Sequence, residues 1–182
     1  MPEAESERFE ALYRAYGRDI VAYCGWRAGS PSDAQDAVAE VFLTAWRRLP
    51  DIPDGDAARV WLYATARRVI ATHWRTQRRR AGLQQRLEST ADRGPVGAGP
   101  DVGEHALVHD ALRRLDDGDR EVLLLAEWED LAPAEIATVL DCLPVTARGR
   151  LHRARRRFRA AYQRLAGGAP DRNVLHVQRG SR

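Results

Sequence analysis

The chain has 182 residues, of which 44% are hydrophobic and 30% charged, so it can form one ordinary domain or two small ones. It contains no lysine, which excludes a P-loop lysine and a Schiff-base lysine. No Gly-rich phosphate loop or nucleophile motif is present, and we therefore predict that the protein is not an enzyme and uses no cofactor. His105 and His109 have helical metal-ligand spacing without a nearby cysteine or third histidine, which argues against a metal site.

The small net charge of +3 conceals four blocks of alternating sign. Residues 1–56 have 11 acidic residues against 6 arginines, and residues 88–141 have 14 against 4. Residues 57–87 have 8 arginines and no acidic residue, and residues 142–182 have 11 arginines and one. Two basic blocks predict two places that bind a polyanion, whereas the acidic blocks either face protein or keep the chain soluble.

No hydrophobic run approaches the ~20 residues that span a bilayer, so we predict no membrane insertion. The acidic N-terminus lacks the features of a secretion signal, and the expected location is the cytoplasm.

The first two predicted elements are amphipathic helices, from Glu7 to Arg27 and from about Asp33 to Leu49. Ser30 or Ser32 can cap the second helix. One face of that helix is apolar and faces the core. Another face carries Asp36, Ala39, Glu40, Leu43 and Arg47, and the leucine on this mostly polar face indicates a partner surface.

A turn-rich loop, residues 50–56, leads into a basic helix within residues 57–80. In this helix, one face is an apolar stripe that includes Leu62, Ala66 and Ile70, and arginines and aromatic residues lie between the stripe positions in the sequence. Guanidinium groups bind phosphate and aromatic rings stack on unpaired bases, so the helix suits a nucleic-acid strand. The alternative is a solvated basic helix whose aromatic residues belong to the core.

Residues 81–103 are rich in glycine and proline and predict a flexible linker. A second helical block follows at residues 104–166, and residues 167–182 predict a disordered tail. Within this block a short helix at Leu131–Leu140, a tight turn and a basic helix from about Pro144 to Leu165 have the layout of a helix-turn-helix. The alternative is a basic terminal helix in a small bundle.

In the helix-turn-helix, five apolar residues are predicted to hold the two helices together: Ile136, Ala137, Leu140, Val145 and Leu151. The leading end of the second helix would face DNA through Thr146, Arg148, Gly149 and Arg150, with His152, Arg153 and Arg156 near phosphates. Ala132 stands where a hydroxyl cap is usual, which predicts a loss of about 1 kcal/mol to the short helix. Gly149 within the second helix costs about as much.

Two sets of motifs resemble the extracytoplasmic-function (ECF) group of bacterial RNA polymerase sigma factors. Residues 6–80 resemble region two of that family, through Phe9-x-x-Leu-Tyr-x-x-Tyr16, Asp33-Ala-Gln-Asp-Ala-Val-Ala-Glu-Val-Phe-Leu-x-Ala-Trp46 and Trp61-Leu-Tyr-Ala-Thr-Ala-Arg67. Residues 104–166 resemble region four, through Ala134-Glu-Ile-Ala137 and Thr146-x-Arg-x-Arg-Leu-His-Arg-Ala-Arg155. The resemblance implies an all-α protein with two small helical domains joined by the linker, the second domain a helix-turn-helix.

The resemblance also implies roles for named residues. The second helix would dock on the clamp helices of the polymerase β′ subunit through Asp36, Ala39, Glu40 and Leu43. The basic helix would melt the minus-ten element and hold its non-template single strand through Trp61, Tyr63, Arg67, Arg68, Thr72 and Arg75. The loop before it would hold a flipped base with Asp51, Ile52, Pro53, Asp54, Gly55 and Asp56. The recognition helix would bind the minus-thirty-five element in duplex DNA through Thr146, Arg148, Gly149, Arg150 and Arg153.

The implied partners are bacterial core RNA polymerase, contacted at the β′ clamp helices and the β flap, promoter DNA, and an anti-sigma factor that covers the polymerase-binding faces. Gln35, Ala39, Arg68, Val145 and Gly149 depart from the family's usual residues and predict an unusual promoter sequence. The alternative is a free-standing transcriptional regulator that binds duplex DNA by its helix-turn-helix alone.

Overall fold

The computed structural model describes residues 3–84 and 104–167. The chain divides into two compact units, Met1–Ala98 and Gly99–Arg182, which we call the N-terminal and C-terminal units. All regular secondary structure in the described residues is helical, which confirms the predicted all-α class. No helix in these two ranges combines the length and apolarity needed to cross a bilayer.

The N-terminal unit is a bundle of three helices, α1 (Glu3–Arg27), α2 (Pro31–Arg47) and α3 (Asp56–Gln84), in which each helix packs on the other two. A 3-10 turn, Leu49–Asp51, follows α2. Helix α3 extends four residues into the predicted linker, and residues 85–103 of that linker lie outside the described part of the chain.

The core of the N-terminal unit forms where one stripe of each helix is buried. From α1 it contains Ile20, Tyr23 and Cys24, and from α2 it contains Val41, Phe42 and Ala45. Helix α3 buries a broader surface, which includes Leu62, Ala66, Val69 and Ile70 of the predicted stripe and also Tyr63. Burying a large apolar side chain such as Ile20 or Leu62 contributes roughly 1.5–3 kcal/mol to folding. The buried stripes therefore determine which sides of the helices face one another.

The start of α2 shows which predicted cap is used. The Ser30 hydroxyl oxygen accepts a hydrogen bond from the backbone N–H of Asp33 at 3.1 Å, and Pro31 occupies the first turn. Ser30 therefore satisfies one of the otherwise unpaired N–H groups at this helix end.

The C-terminal unit contains α4 (Glu104–Arg113), α5 (Asp117–Glu127), α6 (Pro133–Val139) and α7 (Pro144–Leu165). Helix α7 packs on the other three. Its buried residues recur at three- and four-residue steps and form the central stripe of this core: Ala147, Leu151, Ala154, Phe158, Ala161 and Tyr162. Of the predicted tail, residues 168–182 lie outside the described chain.

Helices α6 and α7 form the predicted helix-turn-helix. Asp141 has a φ of 51° in the turn, and the next backbone N–H, that of Cys142, donates to the Ala137 carbonyl at 2.9 Å. Four of the five residues predicted to hold the two helices together are buried: Ile136, Ala137, Leu140 and Leu151. The prediction for Val145 is wrong, since its side chain is 63% exposed. The inward stripe of α7 starts at Ala147 and leaves Val145 on the outer side of the first turn.

The cap of α6 is better satisfied than the sequence predicted. Ala132 has no side-chain acceptor, but the Glu135 carboxylate accepts a hydrogen bond from the Ala132 backbone N–H at 2.7 Å. One half of a capping box is therefore present, and it offsets part of the predicted loss.

An arginine fastens the connection between α4 and α5. The Arg120 guanidinium donates to the carbonyls of Leu112 and Leu115 at 2.9 Å each and to that of Arg113 at 3.2 Å. These carbonyls lie at the end of α4 and in the turn after it, where the helix itself supplies few backbone N–H partners.

Gly55 provides a test of backbone strain in the N-terminal unit. Its φ of +63° lies in the left-handed region, where an L side chain costs about 1–2 kcal/mol. We expect Gly55→Ala to lower the free energy of unfolding by about 1 kcal/mol, measured by urea denaturation followed by circular dichroism.

Gly17→Ala is the matched control in the same unit. Gly17 lies in α1, and an added Cβ would be in ordinary contact with the Tyr13 ring at 3.6 Å. We expect this variant to be as stable as the parent or more so, by up to about 1 kcal/mol. Equal destabilisation by both substitutions would contradict the strain argument.

Candidate nucleic-acid and protein interfaces

The outward face of α3 brings four of the six predicted single-strand contacts into one row. Trp61, Arg68, Thr72 and Arg75 follow one another at steps of seven, four and three residues, which places them on one side of a helix with 3.6 residues per turn. Arg68, Thr72 and Arg75 are exposed and Trp61 is half-buried.

Local hydrogen bonds hold this row in place. The Arg68 Nε donates to the Ala64 carbonyl at 3.0 Å, and the Arg75 Nη2 donates to the Thr72 hydroxyl at 3.3 Å. The arginine side chains therefore lie along the helix and present a strip of positive charge beside an indole ring.

The remaining two predicted contacts lie elsewhere on α3. The Tyr63 side chain is 1% exposed, and its ring packs against that of Tyr23 with 5.3 Å between centroids. The prediction that Tyr63 stacks on a base is therefore corrected, because the packing of α1 on α3 covers the ring. Arg67 is half-buried and lies to one side of the outward row.

The loop before α3 is fastened to α1 by two side chains. The Arg8 guanidinium donates to the Leu49 carbonyl at 2.9 Å, to the Ile52 carbonyl at 2.6 Å and to the Asp54 carboxylate at 2.9 Å. The Tyr16 hydroxyl donates to the Gly55 carbonyl at 3.2 Å.

This arrangement divides the six residues predicted to hold a flipped base. Asp51, Pro53, Asp54, Gly55 and Asp56 are exposed. Ile52 is only 3% exposed and packs in the core, so its predicted contact with a base is corrected. Two of the three carboxylates are paired, Asp54 with Arg8 and Asp51 with Arg48 at 3.1 Å, which reduces repulsion between this loop and a DNA strand.

The face of α2 that was predicted to bind a protein is exposed to solvent. The four residues predicted to contact polymerase are all exposed: Asp36, Ala39, Glu40 and Leu43. The Leu43 side chain is 46% exposed in spite of its size. The Glu40 carboxylate lies 2.7 Å from His73 Nε2 on α3, so this face is linked directly to α3.

The leading end of α7 exposes a compact set of cationic side chains. Arg148, Arg150 and Arg153 are exposed, and Thr146 and Gly149 are half-buried. A Cβ added at Gly149 would lie 3.4 Å from Arg153 Nη1, because the Arg153 side chain lies over the glycine. All five predicted recognition residues therefore belong to the first three turns of one helix.

Other arginines of α7 serve the fold. Arg155 pairs with Glu127 of α5, with Nε and Nη2 at 2.8 and 2.6 Å from the same carboxylate oxygen. Arg157 pairs with Asp116, at 2.9 Å, and with Asp119. Its hydrogen bond to Asp119 raises the pKa of Arg157 above the ordinary value.

The sequence did not single out Arg8, Tyr16 or His73 as functional. Tyr16 appeared only as a member of the region-two motif, and Arg8 lies more than 40 residues from its acceptors. No local spacing signals such contacts. Among the described residues, no group of three or more His, Cys, Asp or Glu side chains is placed to hold a metal ion.

Comparison with known proteins supports the same division of the chain. Residues 12–80 match the family model for sigma-70 region 2, and residues 105–158 match the model for sigma-70 region 4. The chain is 32% identical over 168 residues to the ECF RNA polymerase sigma factor SigL of Mycobacterium tuberculosis, covering 89% of this chain and 93% of SigL. It is also 32% identical over 150 residues to SigC of the same species, covering 80% and 78%.

Solved structures show the same fold. The sigma factor RpoE of Bartonella quintana, in complex with the anti-sigma factor NepR, matches with a TM-score of 0.69 and 20% identity over 85% of this chain and 96% of that one. CnrH, in complex with the cytosolic domain of CnrY, matches with a TM-score of 0.58 and 28% identity over 88% and 89%.

Two family models in the expected order and relatives matched over most of their length agree with the two helical units and their exposed basic helices. The chain therefore belongs to the ECF sigma factors, the sigma-70 family subunits that direct bacterial RNA polymerase to promoters.

Proposed function

We propose that the two units divide promoter recognition between them. Residues 6–80 bind core polymerase and open the minus-ten element, and residues 104–166 bind the minus-thirty-five element, with residues 81–103 as the connection. The observation that carries this proposal is the pair of separate basic surfaces, one with an indole ring among its arginines on α3 and one at the leading end of α7. The chain itself catalyses no reaction and acts in the cytoplasm with the polymerase.

The α7 surface suits duplex DNA. A helix end fits the major groove, where arginine forms paired hydrogen bonds with guanine and also binds phosphate. Arg148 and Arg150 flank Gly149, which has no side chain, so that the Arg153 side chain lies over it and adds a third cation at this end. The ion pairs of Arg155 and Arg157 hold α7 on α5 and so fix the angle at which the leading end projects.

The α3 surface suits an unpaired strand. The arginines of the outward row would follow the phosphates while Trp61 stacks on a base, and stacking contributes about 1–3 kcal/mol per base. The exposed residues of the loop at Asp51–Asp56 would receive a base turned out of the stack.

The exposed face of α2 is the proposed contact with the β′ clamp helices. It combines carboxylates with one exposed leucine, the pattern of an apolar anchor inside a polar rim. An anti-sigma factor would compete for this face, in line with the complexes in which RpoE and CnrH were solved. The acidic residues of the C-terminal unit would contact the β flap.

Run-off transcription with purified core polymerase tests the proposal as a whole. We expect specific initiation only when this chain is added. Binding to promoter duplex without any initiation would instead identify a free-standing regulator.

Arg150→Ala tests recognition by α7. We expect a loss of about 1–3 kcal/mol in binding free energy that disappears when one upstream base pair is changed, measured by titrating labelled promoter variants. Arg164→Ala is the control, because it removes the same charge from an exposed position about 20 Å further along the helix. A uniform loss on all sequences would mark Arg150 as a phosphate contact.

Trp61→Ala tests strand capture by α3. We expect closed complexes to form normally while open complexes decrease about tenfold or more, measured by permanganate reactivity of unpaired thymines. Tyr63→Ala is the contrast: because Tyr63 is buried, it should lower the free energy of unfolding by about 3–5 kcal/mol. Equal losses of closed and open complexes with Trp61→Ala would contradict strand capture.

Leu43→Ala tests the polymerase contact of α2. A central apolar anchor contributes at least about 1 kcal/mol, so affinity for core polymerase should fall several-fold with unchanged stability. Val21→Ala removes a comparably exposed apolar side chain from α1 and should have no effect. Fluorescence anisotropy of the labelled chain with core polymerase measures both, and equal affinities for the two variants would place the contact elsewhere.

A further inference from the structure

The segment Leu49–Gly55 is held by α1, an element far away in the sequence. Three of its backbone carbonyls accept hydrogen bonds from α1 side chains: those of Leu49 and Ile52 from Arg8, and that of Gly55 from the Tyr16 hydroxyl. Arg8 and Tyr16 are eight residues apart, about 12 Å along the helix, so the segment is fixed at both ends.

A buried side chain and local backbone hydrogen bonds also hold the segment. The Ile52 side chain is buried in the core, and two local backbone hydrogen bonds join Ile52 N–H to the Leu49 carbonyl at 3.3 Å and Ala58 N–H to the Gly55 carbonyl at 3.0 Å. Arg8 contacts the Asp54 carboxylate as well, whose side chain is 94% exposed. One guanidinium therefore determines both the backbone path and the position of an outward carboxylate.

We infer that Arg8 and Tyr16 are positioning residues that hold this loop, before DNA arrives, in the one shape that accepts an unpaired base. The inference rests on the proposed role of the loop and adds the residues that preorganise it. A loop that is already ordered loses little conformational entropy on binding, so its contacts contribute fully to discrimination between bases.

Arginine suits this role better than lysine. Its planar guanidinium presents several N–H groups in fixed directions and can bind two carbonyls and a carboxylate together, whereas an ammonium group is a compact charge on a flexible stem. Arg8→Lys should therefore keep the charge and recover only part of the loop's order.

The experiment measures single-strand binding by the full chain assembled with core polymerase. A set of non-template oligonucleotides, each with one base removed to leave an abasic sugar, gives the affinity lost at every position. In the wild-type complex we expect one position near the loop at which base removal lowers affinity about tenfold.

In Arg8→Gln this peak should fall below about threefold, while removal of the bases that contact the α3 row has the same effect as before. Tyr16→Phe removes only the hydroxyl and should lower the peak by a smaller factor. Arg14→Gln is the matched control, because Arg14 is an exposed arginine on the same helix, six residues further on and facing another side.

Hydrogen exchange supplies a readout that does not depend on DNA. The amide of Ile52 should exchange faster in Arg8→Gln, and that of Ala58 faster in Tyr16→Phe, with unchanged exchange in the middle of α1 and α2. Thermal unfolding of each variant shows whether the fold is intact, and Tyr16→Phe keeps the inference testable if Arg8→Gln unfolds.

Three results would overturn the inference. An undiminished peak in Arg8→Gln would show that the loop needs no support from α1. Wild-type behaviour of Arg8→Lys, or equal losses at every position for Arg8→Gln and Arg14→Gln, would show that charge alone matters. A flat profile already in the wild-type complex would refute the proposed base-binding role of the loop, and that outcome is distinct because the wild-type peak itself is missing.

Discussion

Both units depend on the hydrogen bonds and ion pairs that the guanidinium groups of arginine residues form. The chain has no lysine, so arginine supplies every permanent side-chain cation. Arg8 and Arg120 donate to backbone carbonyls between helices, where their planar sets of N–H groups satisfy several oxygens together. Arg155 and Arg157 pair with carboxylates and hold α7 on α5. Small helical units bury a smaller fraction of their surface than large domains do. The arginine contacts therefore order the connections between helices, where few apolar side chains are buried.

The remaining outward surfaces are distributed among different helices. In the N-terminal unit, burying one stripe of each helix leaves α2 with a mixed acidic and apolar face and α3 with a cationic, aromatic one. The hydrogen-bonding contact between Glu40 and His73 joins these faces across 33 residues of sequence. In the proposed function, α2 holds polymerase while α3 holds an unpaired strand, and this contact links one surface to the other.

A left-handed glycine and several ordering contacts occur together in the loop before α3. Gly55 adopts a positive φ there, Ile52 anchors the backbone in the core, and Arg8 holds the acidic side chain of Asp54. In the C-terminal unit, Gly149 has no side chain on the leading end of α7, and the Arg153 side chain lies over it. Both proposed base-contacting sites thus combine a glycine with a nearby arginine, which places a cation close to exposed backbone.

The sequence by itself determined the all-α class, the helix-turn-helix and the family, because helical periodicity, turn residues and motif spacing are local properties. It also indicated the exposed faces of α2 and α7. The tertiary structure alone decided which aromatic residues are reachable: Tyr63 and Trp61 are two residues apart, yet the packing of α1 covers one and leaves the other half-exposed. It also moved Val145 to the surface and brought Arg8 to a loop more than 40 residues away, since long-range contacts depend on how whole helices pack.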